Sequence, residues 1–243
     1  MPTEPNNPAA RLIVLLEKAR SIPGNVQIRQ GWAGLFDVAP DDLPGILLGI
    51  SDLIQLTHET RRAIEALEGH DHALYLRPID KILSILTIGR FDIEWAQVTN
   101  QLDETTLYGL SVCNDVLAKY SQEKPIAQEN IETLLKDVDD LRQEVLGSEL
   151  PDDLKVFMVE QLEKLRTALL RYRLFGTKSL KSALESITGA VILQGYTILP
   201  FWDSPMIKRL IAVLTTVATL VTLSQGFAAL SAGIKGLLGS GHP

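Results

Sequence analysis

Residues 128–172 read QENIETLLKDVDDLRQEVLGSELPDDLKVFMVEQLEKLRTALLRY, and the spacing of their apolar side chains decides the fold class. Ile131, Leu134, Val138, Leu141 and Val145 advance by threes and fours, and so do Met158, Leu162, Leu165, Leu169 and Tyr172. Positions three and four apart share one face of an α-helix, so each run predicts a helix with a single apolar stripe. Gly147 to Pro151 interrupts the two. Stripes separated by so short a breaker fold back on one another as an antiparallel αα-hairpin with coiled-coil-like packing. Ser148 or the Pro151-Asp152-Asp153 cluster starts the second helix, where carboxylates meet the positive end of the helix dipole. Glu129, Glu132, Asp137, Asp140 and Glu144 fall off the stripe and read as a solvated face.

Working back toward the amino terminus, helical punctuation recurs and strand alternation is nearly absent. Asn7 followed by Pro8 is an N-cap and first-turn signal, so a helix is expected to Ser21, ahead of Pro23-Gly24. Further helices are expected from Val26 to Phe36, from an Asp41 cap to Gly69, from near Pro78 to Thr87, from Asp92 to Gln101, and from an Asp103 cap to Tyr120. The whole is an all-α, multi-helix bundle. Its 243 residues, 46% of them hydrophobic, are enough for a full core, and Cys113 as the single cysteine leaves no internal disulfide. The amino terminus, with Pro2, Glu4, Pro5 and Pro8, lacks the composition of a secretory signal.

Toward the carboxyl end the charge changes. Of 23 Lys and Arg against 30 Asp and Glu, only Asp203, Lys208, Arg209 and Lys235 follow Glu185, so a region of −9 precedes a tail of +2. Domain boundaries are therefore expected as 1–185, an acidic helical domain with a sub-boundary near 122–125, and 186–243, an apolar helical segment. Leu210 to Ile234 carries no charge over 25 residues. At about 1.5 Å per residue that is roughly 37 Å of helix, long enough to cross about 30 Å of hydrocarbon. Tyr196, Phe201, Trp202, Lys208 and Arg209 ahead of it are residue types that settle at a membrane interface. Thr215, Thr219, Thr222, Gly226, Ala229 and Gly233 share a small, weakly polar face suited to close helix contact or to lining a narrow pore. Lys164, Arg166, Arg171, Arg173, Lys178 and Lys181 form a cationic run with no acid from 164 to 184. With Lys208 and Arg209 they are candidate lipid- or phosphate-contacting residues, the competing account being pairing with the acidic helix 128–147.

No motif names a reaction. His70-Asp71-His72, with His58 and Glu59, has metal-ligand residue types in a loop beside Gly69 without the spacing of a closed site. Cys113 has no base or cation near it in sequence and reads as a small buried apolar group. Gly176-Thr177-Lys178-Ser179 lacks the adjacent Gly-Lys and the upstream glycine of a phosphate loop. No cofactor, metal or catalytic residue is expected, and the net charge of −7 with few aromatics near the cations disfavours nucleic acid. The expectation is a non-enzymatic protein with a cytoplasmic helical domain. Its carboxyl-terminal segment associates with itself as a homo-oligomer, attaches to the inner face of an anionic membrane as an effector or anchor, and in one arrangement forms a pore. The alternative is a soluble interaction or scaffold module for an unidentified protein partner, its last helices buried in its own core or in a homo-oligomer interface.

Overall fold

In a computed structural model the described residues are 6–69, 72–87, 89–121 and 123–225. They form helices joined by loops, and the chain divides into two compact units, one ending at Ser121 and one made of the residues after it.

The first unit contains α1 (Pro8–Ser21), α2 (Ile28–Phe36), α3 (Leu43–Glu65), α4 (His72–Leu86), the short α5 (Ala96–Thr99) and α6 (Glu104–Tyr120). Helix α1 lies against α3 and α6, and α4 lies against the same two, which closes a ring of four; α2 packs on α3 and α1. Asn7 Oδ1 accepts from the Ala10 N–H at 3.0 Å and Asp103 Oδ1 from the Thr106 N–H at 2.8 Å, the two caps legible in the sequence.

Four local expectations are corrected. The long third helix is capped by Asp42, whose carboxylate accepts from the Gly45 N–H, because a turn from Ala39 to Asp42 carries the chain one residue past Asp41. The second begins at Ile28, two residues after Val26. The fourth begins at His72 and runs straight through Pro78; the buried proline ring sits so close to α6 that a Cβ on Gly109 would lie 3.2 Å from it, and this packing offsets the lost hydrogen bond. Residues 91–95 are bends and a turn around a single bridge from Glu94 to Gln27, where a helix was expected, and only Ala96–Thr99 of that stretch is helical. Residues 91–95 bond across to the approach to α2: the Ile28 N–H donates to the Ile93 carbonyl at 2.8 Å and the Trp95 N–H to the Val26 carbonyl at 2.7 Å.

That crossing puts Trp95 in the core. Its ring meets Trp32 edge-on at 4.9 Å, and its Nε1–H donates to the Ala19 carbonyl at 3.0 Å. A Cβ on Gly31 would collide with the Trp95 ring, so only glycine fits there.

The second unit contains α7 (Gln128–Gly147), α8 (Asp152–Leu170), α9 (Tyr172–Phe175), α10 (Thr177–Leu193), α11 (Gly195–Ile198), a 3-10 turn (Leu199–Phe201) and α12 (Pro205–Gln225). Helices α7 and α8 are the expected hairpin. Every residue of both stripes is buried except Tyr172, which is half-buried. Ion pairs Arg142–Glu163 at 3.1 Å and Arg166–Asp139 at 2.9 Å run as one partner number rises and the other falls, the mark of an antiparallel pair. Helix α8 also lies on α10, α10 on α12 and α12 on α7, a second closed ring of four. The two units meet in sequence between Ser121 and Gln122, and α10 passes through position 186 without a break.

Candidate functional site

The carboxyl-terminal residues carry the features most unlike an ordinary solvated bundle, and the fold divides them between core and surface. On α12, Ile207, Leu210, Val213, Leu214, Val217 and Val221 are buried against α7 and α10. Ile207, Leu210, Leu214, Val217 and Val221 step by three and four, the same kind of stripe as in the hairpin, with Val213 beside it. On the opposite face Thr215, Thr216 and Thr219 are exposed, and each hydroxyl donates to the carbonyl four residues earlier, at 2.8, 3.0 and 2.8 Å. Among the described residues no helix is long and apolar enough to cross a membrane. Of the expected small-residue face, Thr215 and Thr219 point outward; the side chain of Thr222 and residues Gly226, Ala229 and Gly233 lie outside what is described, as does Lys235.

The candidate cations do not converge. Arg166 pairs with Asp139 and Arg209 with Glu144, both on α7, while Lys208 pairs with Asp203 at 2.8 Å. Hydrogen bonding to Glu144 raises the Arg209 guanidinium above its ordinary pKa, and the Lys208 ammonium holds Asp203 below the usual carboxylate range. The Arg171 guanidinium lies 5.4 Å above the Phe175 ring, and the Lys164 ammonium donates to Gln161 Oε1 at 3.0 Å. Arg173 and Lys178 are exposed and Lys181 half-buried around the start of α10. Adjacency in sequence does not become adjacency in space: the 17 residues of α10 hold this basic end about 25 Å from the apolar stretch that follows.

That apolar stretch lies at the opposite end of the bundle. Six large apolar side chains of the second unit are exposed among the described residues, and five of them lie on elements that begin or end there: Leu146 at the end of α7, Val156 in the first turns of α8, Ile192 and Leu193 at the end of α10, and Leu199 in the 3-10 turn. Leu193 is 85% exposed. The Arg209–Glu144 pair ties the start of α12 to the end of α7, which completes this end. Half-buried Leu150, Phe157, Phe201 and Trp202 lead from it into the core. Exposed Glu149, Asp152 and Asp153 rim it.

The other candidate residues give no constellation. His58 is exposed, His72 Nε2 is hydrogen-bonded to the Leu67 carbonyl at 2.8 Å, and His70 and Asp71 lie outside the described residues. Among the described residues no three His, Cys, Asp or Glu side chains group as metal ligands. Cys113 is buried, its thiol donating to the Tyr75 carbonyl at 3.3 Å, and burial pushes its pKa up to about 11, away from a reactive thiolate. Sequence reasoning missed the buried charged side chains Arg11, Asp52 and Glu59 on the packed pair α1 and α3. Asp52 and Glu59 are seven apart, a helical spacing that could have flagged them, but their charge argued for solvent.

Compared with known proteins, the chain matches no family model, no curated protein and no solved structure.

Proposed function

We propose that this chain is a non-enzymatic helical interaction module, two four-helix bundles in tandem, whose working surface is the apolar end of the second bundle. One observation carries the reading: α12 turns its apolar stripe into its own core, while Leu146, Val156, Ile192, Leu193 and Leu199 stay on the surface at one end. Large apolar groups gathered on a surface mark a place where another molecule sits. The rim of Glu149, Asp152 and Asp153 complements a partner with basic flanks and repels anionic lipid.

A second reading, membrane association with self-association, is favoured by the outer face of α12. Its threonine hydroxyls already donate to the helix's own carbonyls, so that face can lie on an apolar surface without leaving donors unmet. In this reading the protein attaches at a surface, with α12 kept in the bundle.

Flotation with anionic vesicles separates the two: the interaction module stays in the soluble fraction, and the surface-attached protein floats with the vesicles. Deletion of residues 186–243 tests what they share, an α12 held in the second core. Loss of α12 and the end of α10 opens that core, and both readings expect a molten, insoluble product. A well-folded soluble remainder, together with full-length protein retained on carbonate-washed membranes, would favour a membrane segment instead.

A further inference from the structure

The stretch joining the two units is anchored on both sides of a single residue. Ser121 closes α6: its N–H donates to the Leu117 carbonyl at 2.9 Å and its hydroxyl to the Asn6 carbonyl. Beyond position 122, Glu123 Oε1 accepts from the Thr177 N–H at 2.9 Å and from the Thr177 hydroxyl at 3.2 Å. Ile126 is buried in the second core, and its N–H donates to the Tyr172 hydroxyl.

Helix α10 has no cap of its own. Its N-cap position is Gly176, at φ 58° and ψ −150°, a conformation that glycine tolerates and that brings no side-chain acceptor. The opening N–H groups of a helix lack intrahelical acceptors. Thr177 is 1% exposed, so solvent does not serve its N–H or its hydroxyl. A carboxylate 54 positions upstream in sequence does, and it arrives on the connector between the units.

We propose that residues 123–126 are a removable strap that couples the junction of the two units to the second bundle. With Glu123 seated on Thr177 and Ile126 in the core, the first turn of α10 is closed. When the connector is drawn away, the Thr177 N–H and hydroxyl lose their acceptor together, and the turn frays.

Hydrogen exchange on the full chain tests this. In the wild type, the amides of Ile126 and of residues 177–180 are expected to open together, faster than those of the α7–α8 hairpin. Glu123→Ala is expected to speed exchange at 177–180 by about tenfold, the size of effect that follows from leaving a buried donor unmet. Glu123→Gln, which keeps an acceptor oxygen, is expected to speed it less, and α1–α6 are expected to be unchanged in both. Exchange at 177–180 that occurs only with global opening of the hairpin would overturn the proposal. So would a Glu123→Ala effect spread equally over α7, α8 and α12, which would make Glu123 a fixed cap of the whole bundle.

Discussion

The two bundles share a ring-of-four plan and reach it by different chemistry. The second is closed by aliphatic stripes on α7, α8, α10 and α12, stepping by three and four residues. The first is wedged by aromatics: Trp32 stacks on Phe36 at 5.7 Å and meets Trp95 edge-on, while Trp95 arrives on a non-helical segment far away in sequence. It also buries Arg11, Asp52 and Glu59, and the hydroxyls of Thr57 and Thr60, which donate to carbonyls four residues back. The difference teaches that a repeated stripe specifies its partner locally, whereas an aromatic wedge depends on contacts that no short window contains.

If the two units keep separate cores, damage to one should leave the other's unfolding transition in place. Val217 is fully buried in the α12 seam, so Val217→Asp puts an unpaired carboxylate there. Abolition of the second unit's cooperative melt is expected, a loss above about 4 kcal/mol, with the first unit's transition retained by calorimetry. In the first unit, Trp95→Ala removes a wholly buried ring and its bond to Ala19, at an expected cost of about 3–5 kcal/mol to that unit alone. Leu162→Ala, at a fully buried stripe position of α8, is expected to cost the second unit about 2–5 kcal/mol in denaturant titration.

Smaller effects sharpen the contrast. Cys113 sits in the first unit with its pKa raised from 9.0 to about 11, so the folded state holds its proton longer than the unfolded chain. Its stabilising effect is complete below pH 9 and is lost as pH rises to about 11, at no more than about 1.4 kcal/mol per pH unit. Cys113→Ala should flatten that decline, and the wild-type thiol should react with a disulfide reagent at pH 8 only after unfolding. The smallest effect is expected for the ion pair Arg166–Asp139 on the hairpin surface: Arg166→Ala should change stability by about 0–1 kcal/mol, and less at high salt.

The hairpin was legible because its stripes are local: Ile131 through Val145 and Met158 through Leu169 are the residues that meet. Caps at Asn7 and Asp103 were legible for the same reason. Pro78 and residues 91–95 were misread because tertiary contacts override the local signal, the first through Gly109 on α6 and the second through the backbone of Val26 and Ile28. Much the same holds for the candidate surface. The charge-free run from Leu210 was visible, yet which of its members face inward depends on the α7 and α10 that α12 lies against. The cationic run could be seen as a cluster, but Arg166 and Arg209 are engaged by acids on α7, residues outside any helix window that contains them.

The central claim is that α12 belongs to the core of the second bundle. Hydrogen exchange of the amides from Lys208 to Val221, measured on the full-length protein with and without lipid vesicles, tests it directly. The account expects these amides to be protected to the level of the α7–α8 hairpin in solution, and unchanged by vesicles. Rapid exchange in solution that slows on adding vesicles would contradict it, because α12 would then find its partner in lipid and not in α7 and α10.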